Sequence, residues 1–249
     1  MTKSITHWTL SLVACIGFGL SVPVWADNHG EGEAGEGEGQ PVSAEEYEPG
    51  NYVEKAIAML DEQMGTSADK RLPKKLLESA KCVAIFPQIG QAGLGIGGKF
   101  GRGMVSCRHE DGSFGVPLFT RLTSLTFGAQ IGAQKVSLLM LIMSDKGLNS
   151  LLSGKPIVGA EAGIAAGPVG REASANLDVF LQSPIVSYSR SEGLFAGAIL
   201  EGAAITRAKR VNKELYGDFE TTEELLFQRK EGPESIRAIR ETLDKYAAS

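Results

Sequence analysis

The sequence predicts an α+β domain: a curved antiparallel β-sheet, barrel- or sandwich-like, with flanking helices at its N- and C-terminal ends. Three observations lead there. Short strand-like runs separated by turn signals follow one another between Cys82 and Ile205. Those runs are rich in glycine, which weakens a flat strand and is tolerated where a sheet bends or backbones approach closely. On either side of this region, apolar residues recur at helical spacing.

The first helix is predicted from Tyr52 to Met64, capped by Asn51, with Val53, Ala56, Ile57, Leu60 and Met64 on one face. A second, short helix starts at Pro73, a residue suited to a first helical position. It turns Leu76, Leu77 and Ala80 inward and Lys74, Lys75 and Glu78 outward. Cys82 to Phe86, ended by Pro87, reads as a buried strand.

The loop His109-Glu110-Asp111-Gly112 separates the strand-like runs Gly101 to Arg108 and Phe114 to Thr120 as a hairpin. Val136 to Met143 is a continuous apolar run and reads as a central strand. Asp145 caps a helix through Leu152 that ends at Gly154. Two further strand pairs are predicted. Val158 to Ala165 and Glu172 to Phe180 flank Gly167-Pro168-Val169-Gly170; Ile185 to Arg190 and Leu194 to Ile205 flank Ser191-Glu192-Gly193. Helices return at Thr206 to Tyr216, Thr222 to Phe227 and Pro233 to Tyr246.

Ahead of this body, residues 1–26 read as a signal peptide. Lys3 supplies the positive start, Leu10 to Val24 is apolar or small throughout, and Val24-Trp25-Ala26 is a small-x-small cleavage site. The apolar run is short for a membrane span, which needs about 20 residues. The alternative processing point is Cys15, in the lipobox-like Leu12-Val13-Ala14-Cys15, which would make the chain a lipoprotein. Residues 27–50 form an acidic Gly/Glu stretch with few apolar residues to bury, expected to be a disordered tether.

That organisation changes the charge balance. The chain carries 25 basic and 30 acidic residues, a net of −5. Eight acids (Asp27, Glu31, Glu33, Glu36, Glu38, Glu45, Glu46, Glu48) fall before Pro49, and only Lys3 is basic there. From Pro49 onward, 24 basic residues face 22 acidic ones, a net of +2. Cys82 and Cys107 are the two cysteines of this body; a disulfide and two buried thiols both fit, since connectivity is not readable from sequence.

No catalytic constellation emerges. Gly93-Leu-Gly95-Ile-Gly97-Gly98 matches a dinucleotide fingerprint, but no helix follows it. Ser67-Ala-Asp-Lys70 matches S-x-x-K without its companion segments and reads better as a helix cap. His7, His29 and His109 cannot build a triad or a zinc site. No enzyme activity, cofactor or metal is expected.

Basic charge beside apolar surface does stand out. Lys70, Arg71, Lys74, Lys75 and Lys81 cluster around the second helix, and Arg207, Lys209, Arg210 and Lys213 on the helix after the last strand. A cluster of this kind suits an anionic membrane surface; an ordinary solvated helix face is the other reading. The body's net charge of +2, together with the export signal, disfavours nucleic acid.

Six ordered segments carry a family resemblance. They are Leu76-Leu-Glu-Ser-Ala-Lys-Cys-Val-Ala-Ile-Phe-Pro87, Gly-Gly-Lys-Phe-Gly-Arg-Gly103, Phe127-Gly-Ala-Gln-Ile-Gly-Ala133, Ala165-Ala-Gly-Pro-Val-Gly-Arg171, Ile185-Val-Ser-Tyr-Ser-Arg190 and Gly193-Leu-Phe-Ala-Gly-Ala-Ile-Leu-Glu-Gly202. Through them, Asn51 to Phe227 resembles the SYLF domain, also called the Ysc84-type actin-binding domain. The resemblance implies a lipid-binding module, with phosphatidylinositol phosphates bound by eukaryotic members partly through a basic amphipathic helix at the domain's amino-terminal edge. The matching stretch here is Thr66 to Lys81. The expectation is a SYLF-like lipid-binding domain over 51–230 followed by a C-terminal helix over 231–249. Its partner would be an anionic phospholipid or membrane surface in the periplasm or cell envelope, with an envelope protein partner as the alternative.

Overall fold

A computed structural model of the chain describes residues 48–65, 71–157, 159–168, 177–190, 200–219 and 221–248. The chain divides into Met1–Ala44 and Glu45–Ser249, and every described residue belongs to the second unit. The stretches expected to be a signal peptide and a tether, up to Tyr47, together with Ser67 and Lys70, therefore lie outside the described residues, as do positions 158, 172–176 and 194–199 of the predicted strands.

The architecture is mixed α+β. Strands β1 (Cys82–Cys107) and β2 (Leu118–Ile142) pair antiparallel along their whole length, from Cys82↔Ile142 to Val105↔Leu118. The sequence predicts several shorter strands here. The ribbon runs on instead, because Pro87 is absorbed at a bulge. The register slips between Phe86 and Ile89, where a missing N–H costs no ladder bond.

The ribbon then turns back on itself. Cys82 and Cys107, at opposite ends of β1, are joined by a disulfide with their Cα atoms 4.0 Å apart. Gly103 lies against Ile85 and Phe86; a Cβ there would come within 2.5 Å of both the Ile85 carbonyl oxygen and the Phe86 ring. Gly101 lies against Ile89 in the same way. These pairs centre on Leu94 to Ile96, where the register slips a second time. The glycines of β1 thus permit a folded ribbon, which the sequence could only register as strong curvature.

Three short strands widen the folded ribbon. β3 (Ile164–Ala166) pairs parallel with β4 (Ile185–Arg190), which pairs antiparallel with the Ser137 to Ile142 half of β2. β5 (Ala203–Arg207) pairs antiparallel with Thr120 to Ser124 in the other half. With each long strand counted as two halves, the sheet has seven strands and does not close. The parallel β3–β4 edge is a departure from an all-antiparallel expectation.

Helices flank the sheet. α1 (Pro49–Gly65) starts before Asn51, which is not its cap, so Pro49 and Gly50 belong to the domain and not to the tether. α2 (Lys74–Ser79) follows Pro73, whose carbonyl accepts hydrogen bonds from the Leu76 and Leu77 amides. α3 (Asp145–Leu152) is capped by Ser144, whose side chain accepts from Gly147 N–H, and not by Asp145. α4 (Gly159–Ala162) and α5 (Leu177–Gln182) take up residues 159–162 and 177–180 of a predicted strand pair. Leu177, Phe180 and Leu181 pack inward at helical spacing while Asp178 and Val179 face solvent, so the period is nearer 3.6 than 2.

α6 (Lys209–Tyr216), α7 (Thr222–Phe227), a 3₁₀ turn (Glu234–Ile236) and α8 (Arg237–Ala247) complete the domain. α6 begins three residues later than predicted, so Thr206 and Arg207 are strand residues of β5. α1 packs on α8 and β1, α2 on α8 and α5, α6 on β2, and α7 on β1 and β2. One core joins them, with Leu60, Leu76, Phe86, Phe114 and Phe119 fully buried. Each such side chain contributes about 1.5–3 kcal/mol by leaving water.

Candidate functional site

The predicted cations form two exposed patches. The first belongs to α2 and its flanks. Arg71, Lys74, Lys75 and Lys81 are all exposed. Lys74 pairs with Glu78 one turn on, at 3.6 Å, and Lys81 with Asp145 at 2.7 Å. Among the described residues, Arg71 and Lys75 have no ion pair.

The second patch runs from the end of β5 onto α6. Arg207 donates to the Thr222 hydroxyl at 3.2 Å. Arg210 pairs with Glu214 at 3.5 Å and Lys213 with Asp218 at 2.9 Å, while Lys209 has no ion pair among the described residues. These pairs are solvent-exposed and worth about 0–1 kcal/mol each, so a stronger anion can displace them. α2 packs on α8 and α5, and α6 packs on β2.

Both patches set charge against the helix dipole. Lys74 and Lys75 open α2; Lys209 and Arg210 open α6. Neither first turn holds an acid, and neither N-cap (Pro73, Ala208) offers a capping side chain. Cations at a helix amino terminus are unfavourable by about 0.3–1 kcal/mol each. Positive side chains, free amides and the dipole all point the same way there: toward a negative ligand.

Rigid anchors hold each patch. The Arg108 guanidinium donates to the carbonyls of Leu77 (3.2 Å) and Ala80 (3.4 Å) at the far end of α2, and lies 4.4 Å from the Phe114 ring centre. Burial holds its pKa below the ordinary value, opposed by the nearby Asp244 and Glu78 carboxylates. α6 is held by Asn212, which is fully buried. Its amide oxygen accepts from Phe119 N–H at 2.8 Å, and its amide nitrogen donates to the carbonyls of Phe119 (2.8 Å) and Ala208 (3.0 Å). Tyr216 adds a bond from its hydroxyl to the Pro117 carbonyl at 2.6 Å.

Sequence reasoning missed Arg108 and Asn212. Asn212 has a readable signal in retrospect: it is the polar residue between Val211 and the next inward positions of an amphipathic helix.

His109 stands in the turn the sequence predicts and is buried, and its Nε2 has no hydrogen-bond partner among the described residues. It lines a cleft of about 410 Å³ with Arg108, Glu110, Phe227, Gln228 and Lys230, none of them a predicted site residue. Among the described residues, no group of acids, histidines or cysteines is arranged to hold a metal ion, and no helix is long and apolar enough to cross a membrane. The glycine fingerprint at Gly93 lies inside β1, with no helix after it.

Comparison with known proteins places this domain. The family model described as "Ysc84: Las17-binding protein actin regulator" matches residues 123–246, from the second half of the ribbon through α8. The chain belongs to the Ysc84 family. Protein YSC84 of Saccharomyces cerevisiae is 30% identical over 183 residues, covering 72% of this chain and 39% of the relative. LAS seventeen-binding protein 3 of the same yeast is 29% identical over 183 residues, covering 72% and 40%. The human SH3 domain-containing YSC84-like protein 1 is 28% identical over 179 residues, covering 72% and 52%. The chain spans about two fifths to half the length of these relatives. Their names are those of binding and regulatory proteins.

Proposed function

We propose that this Ysc84-family chain is an exported, non-enzymatic phospholipid-binding protein that associates with anionic lipid through its basic helical surfaces. The observation that carries this reading is the placement of Lys74, Lys75, Lys209 and Arg210. They stand exposed at uncapped amino-terminal turns, on helices anchored by the part-buried Arg108 bonds and the buried Asn212 bonds. Each cation near an anionic membrane contributes about 1 kcal/mol, so either patch alone binds weakly and reversibly. Arg71, Lys81, Arg207 and Lys213 extend the two patches, and Lys70 adjoins the first in sequence.

Export to the periplasm or cell envelope rests on residues 1–26, with lipidation at Cys15 as the alternative route. The Cys82–Cys107 bond supports it, since structural disulfides persist in oxidising compartments. In that setting phosphatidylglycerol or cardiolipin supplies the negative charge that phosphatidylinositol phosphates supply elsewhere.

Co-sedimentation with phosphatidylglycerol vesicles tests the site. The unmodified chain pellets at low salt. Reversing Lys70, Arg71, Lys74 and Lys75 to Glu weakens binding by at least tenfold, and reversing Lys209 and Arg210 by about tenfold. Binding untouched by both sets refutes the assignment. The names of the relatives favour a second reading, an envelope protein-interaction module, because they record a protein partner, Las17. Recovery from envelope extract of a protein partner with no lipid would support it.

A further inference from the structure

The outward face of the ribbon's second half carries an exposed apolar pair. Phe100 in β1 and Leu125 in β2 are 45% and 74% exposed. The other two exposed large apolar side chains among the described residues, Val179 and Phe227, sit singly on α5 and α7. The register puts Phe100 opposite Thr123 and Leu125 opposite Gly98, with Ala204 of β5 beside Thr123. All four positions lie near the end where the ribbon turns back.

The same face is basic. Arg102 and Arg121 stand directly across from one another, with Thr206 of β5 next in the row. Like charges at opposed positions destabilise a sheet. Arg102 is partly accommodated: it donates to the Tyr52 hydroxyl at 3.0 Å and lies over the Phe100 ring at 5.4 Å. Arg121 is exposed and has no ion pair among the described residues. No carboxylate occurs in 97–103, 120–125 or 203–207, the three segments that build the face. An exposed apolar pair with two arginines beside it complements a bilayer surface, with its phosphates outside and acyl chains beneath.

We infer that this face enters the bilayer interface, with Leu125 and Phe100 below the lipid phosphates and Arg102 and Arg121 among them. The inference rests on the phospholipid reading and names its insertion element. β5 links the face to the second basic patch: Ala203 to Arg207 spans about 13 Å of extended chain, and Lys209 and Arg210 follow at once. One membrane surface thus meets both.

The test uses the full chain and vesicles of phosphatidylglycerol and phosphatidylcholine, with and without brominated acyl chains. Tryptophan emission of Leu125→Trp is read as the difference from the unsubstituted chain, which has Trp8 and Trp25. Brominated vesicles are expected to quench the added emission at least about twofold. Leu125→Asp with Phe100→Ser is expected to lose about tenfold in vesicle affinity at high salt, where burial of apolar surface dominates. Because Leu125→Trp keeps an apolar side chain, the depth reading stands whether or not the double variant folds. Vesicle-bound Leu125→Trp protein without added quenching overturns the inference. So does unchanged affinity of the double variant, including the case where that variant changes only self-association. If the unsubstituted chain binds no anionic vesicles, the phospholipid reading itself fails, and the face falls with it.

Discussion

Asn212 carries no charge and no exposed atom, yet it holds the second basic patch to the sheet. Removing its side chain takes the Asn212 bond from the buried Phe119 N–H, while the Phe119 carbonyl keeps the Ala208 N–H at 2.9 Å. Losing a buried hydrogen-bond partner costs about 1–3 kcal/mol, so Asn212→Ala is expected to lower the unfolding free energy by about that amount in urea titration. A loss below about 0.5 kcal/mol would show that the bonds are not formed. At Asp111, hydrogen bonds from Lys230 and Ser113 hold the carboxyl well below the usual carboxylate range. A depressed folded-state pKa contributes stability that is present above the unfolded value and lost as pH falls through the folded one. The Asp111 carboxyl resonance is therefore expected to titrate below the ordinary Asp range. Lys230→Ala should move its midpoint back up; an unmoved midpoint would remove Lys230 as the cause. Neither residue stood out in the sequence, because each acts through a partner about a hundred positions away.

Elements differ in how much of them the sequence exposed. α7 was readable as a short helix near Thr222 to Phe227, because the apolar residues that define it are local. β5 was read as a strand through Ile205 but its last two residues, Thr206 and Arg207, were given to the following helix; pairing with Thr120 and Arg121 keeps them in the strand. α5 was lost into a strand because Val179 and Phe180 favour one; packing of Leu177, Phe180 and Leu181 overrides that preference. The basic patches were legible as two charge clusters, but Arg207 moved from helix to strand. The turn-back of β1 was legible only as glycine density, since contacts such as Ile85 with Gly103 are non-local. The disulfide holds that turn-back closed by joining the strand's two ends, 25 residues apart in sequence. Closing a loop of this length is worth about 3 kcal/mol. Replacing Cys82 and Cys107 together with Ala is expected to lower unfolding free energy by about that amount; equal stability with and without reductant in the unsubstituted chain would contradict it.

At the scale of the molecule, the acidic stretch before Pro49 makes the chain's net charge −5, while the folded part is positive. The folded part presents two basic helix starts and a basic, apolar sheet face. Attraction of this kind weakens with salt, and it rises with the number of cations engaged. The central claim is that these surfaces bind anionic phospholipid. The most direct measurement is the vesicle affinity of the unmodified chain as the phosphatidylglycerol fraction is raised from zero at low salt. The predicted result is no measurable binding to pure phosphatidylcholine and affinity that climbs steeply with anionic fraction and falls as salt is added. Equal affinity for neutral and anionic vesicles, or none for either, would contradict it.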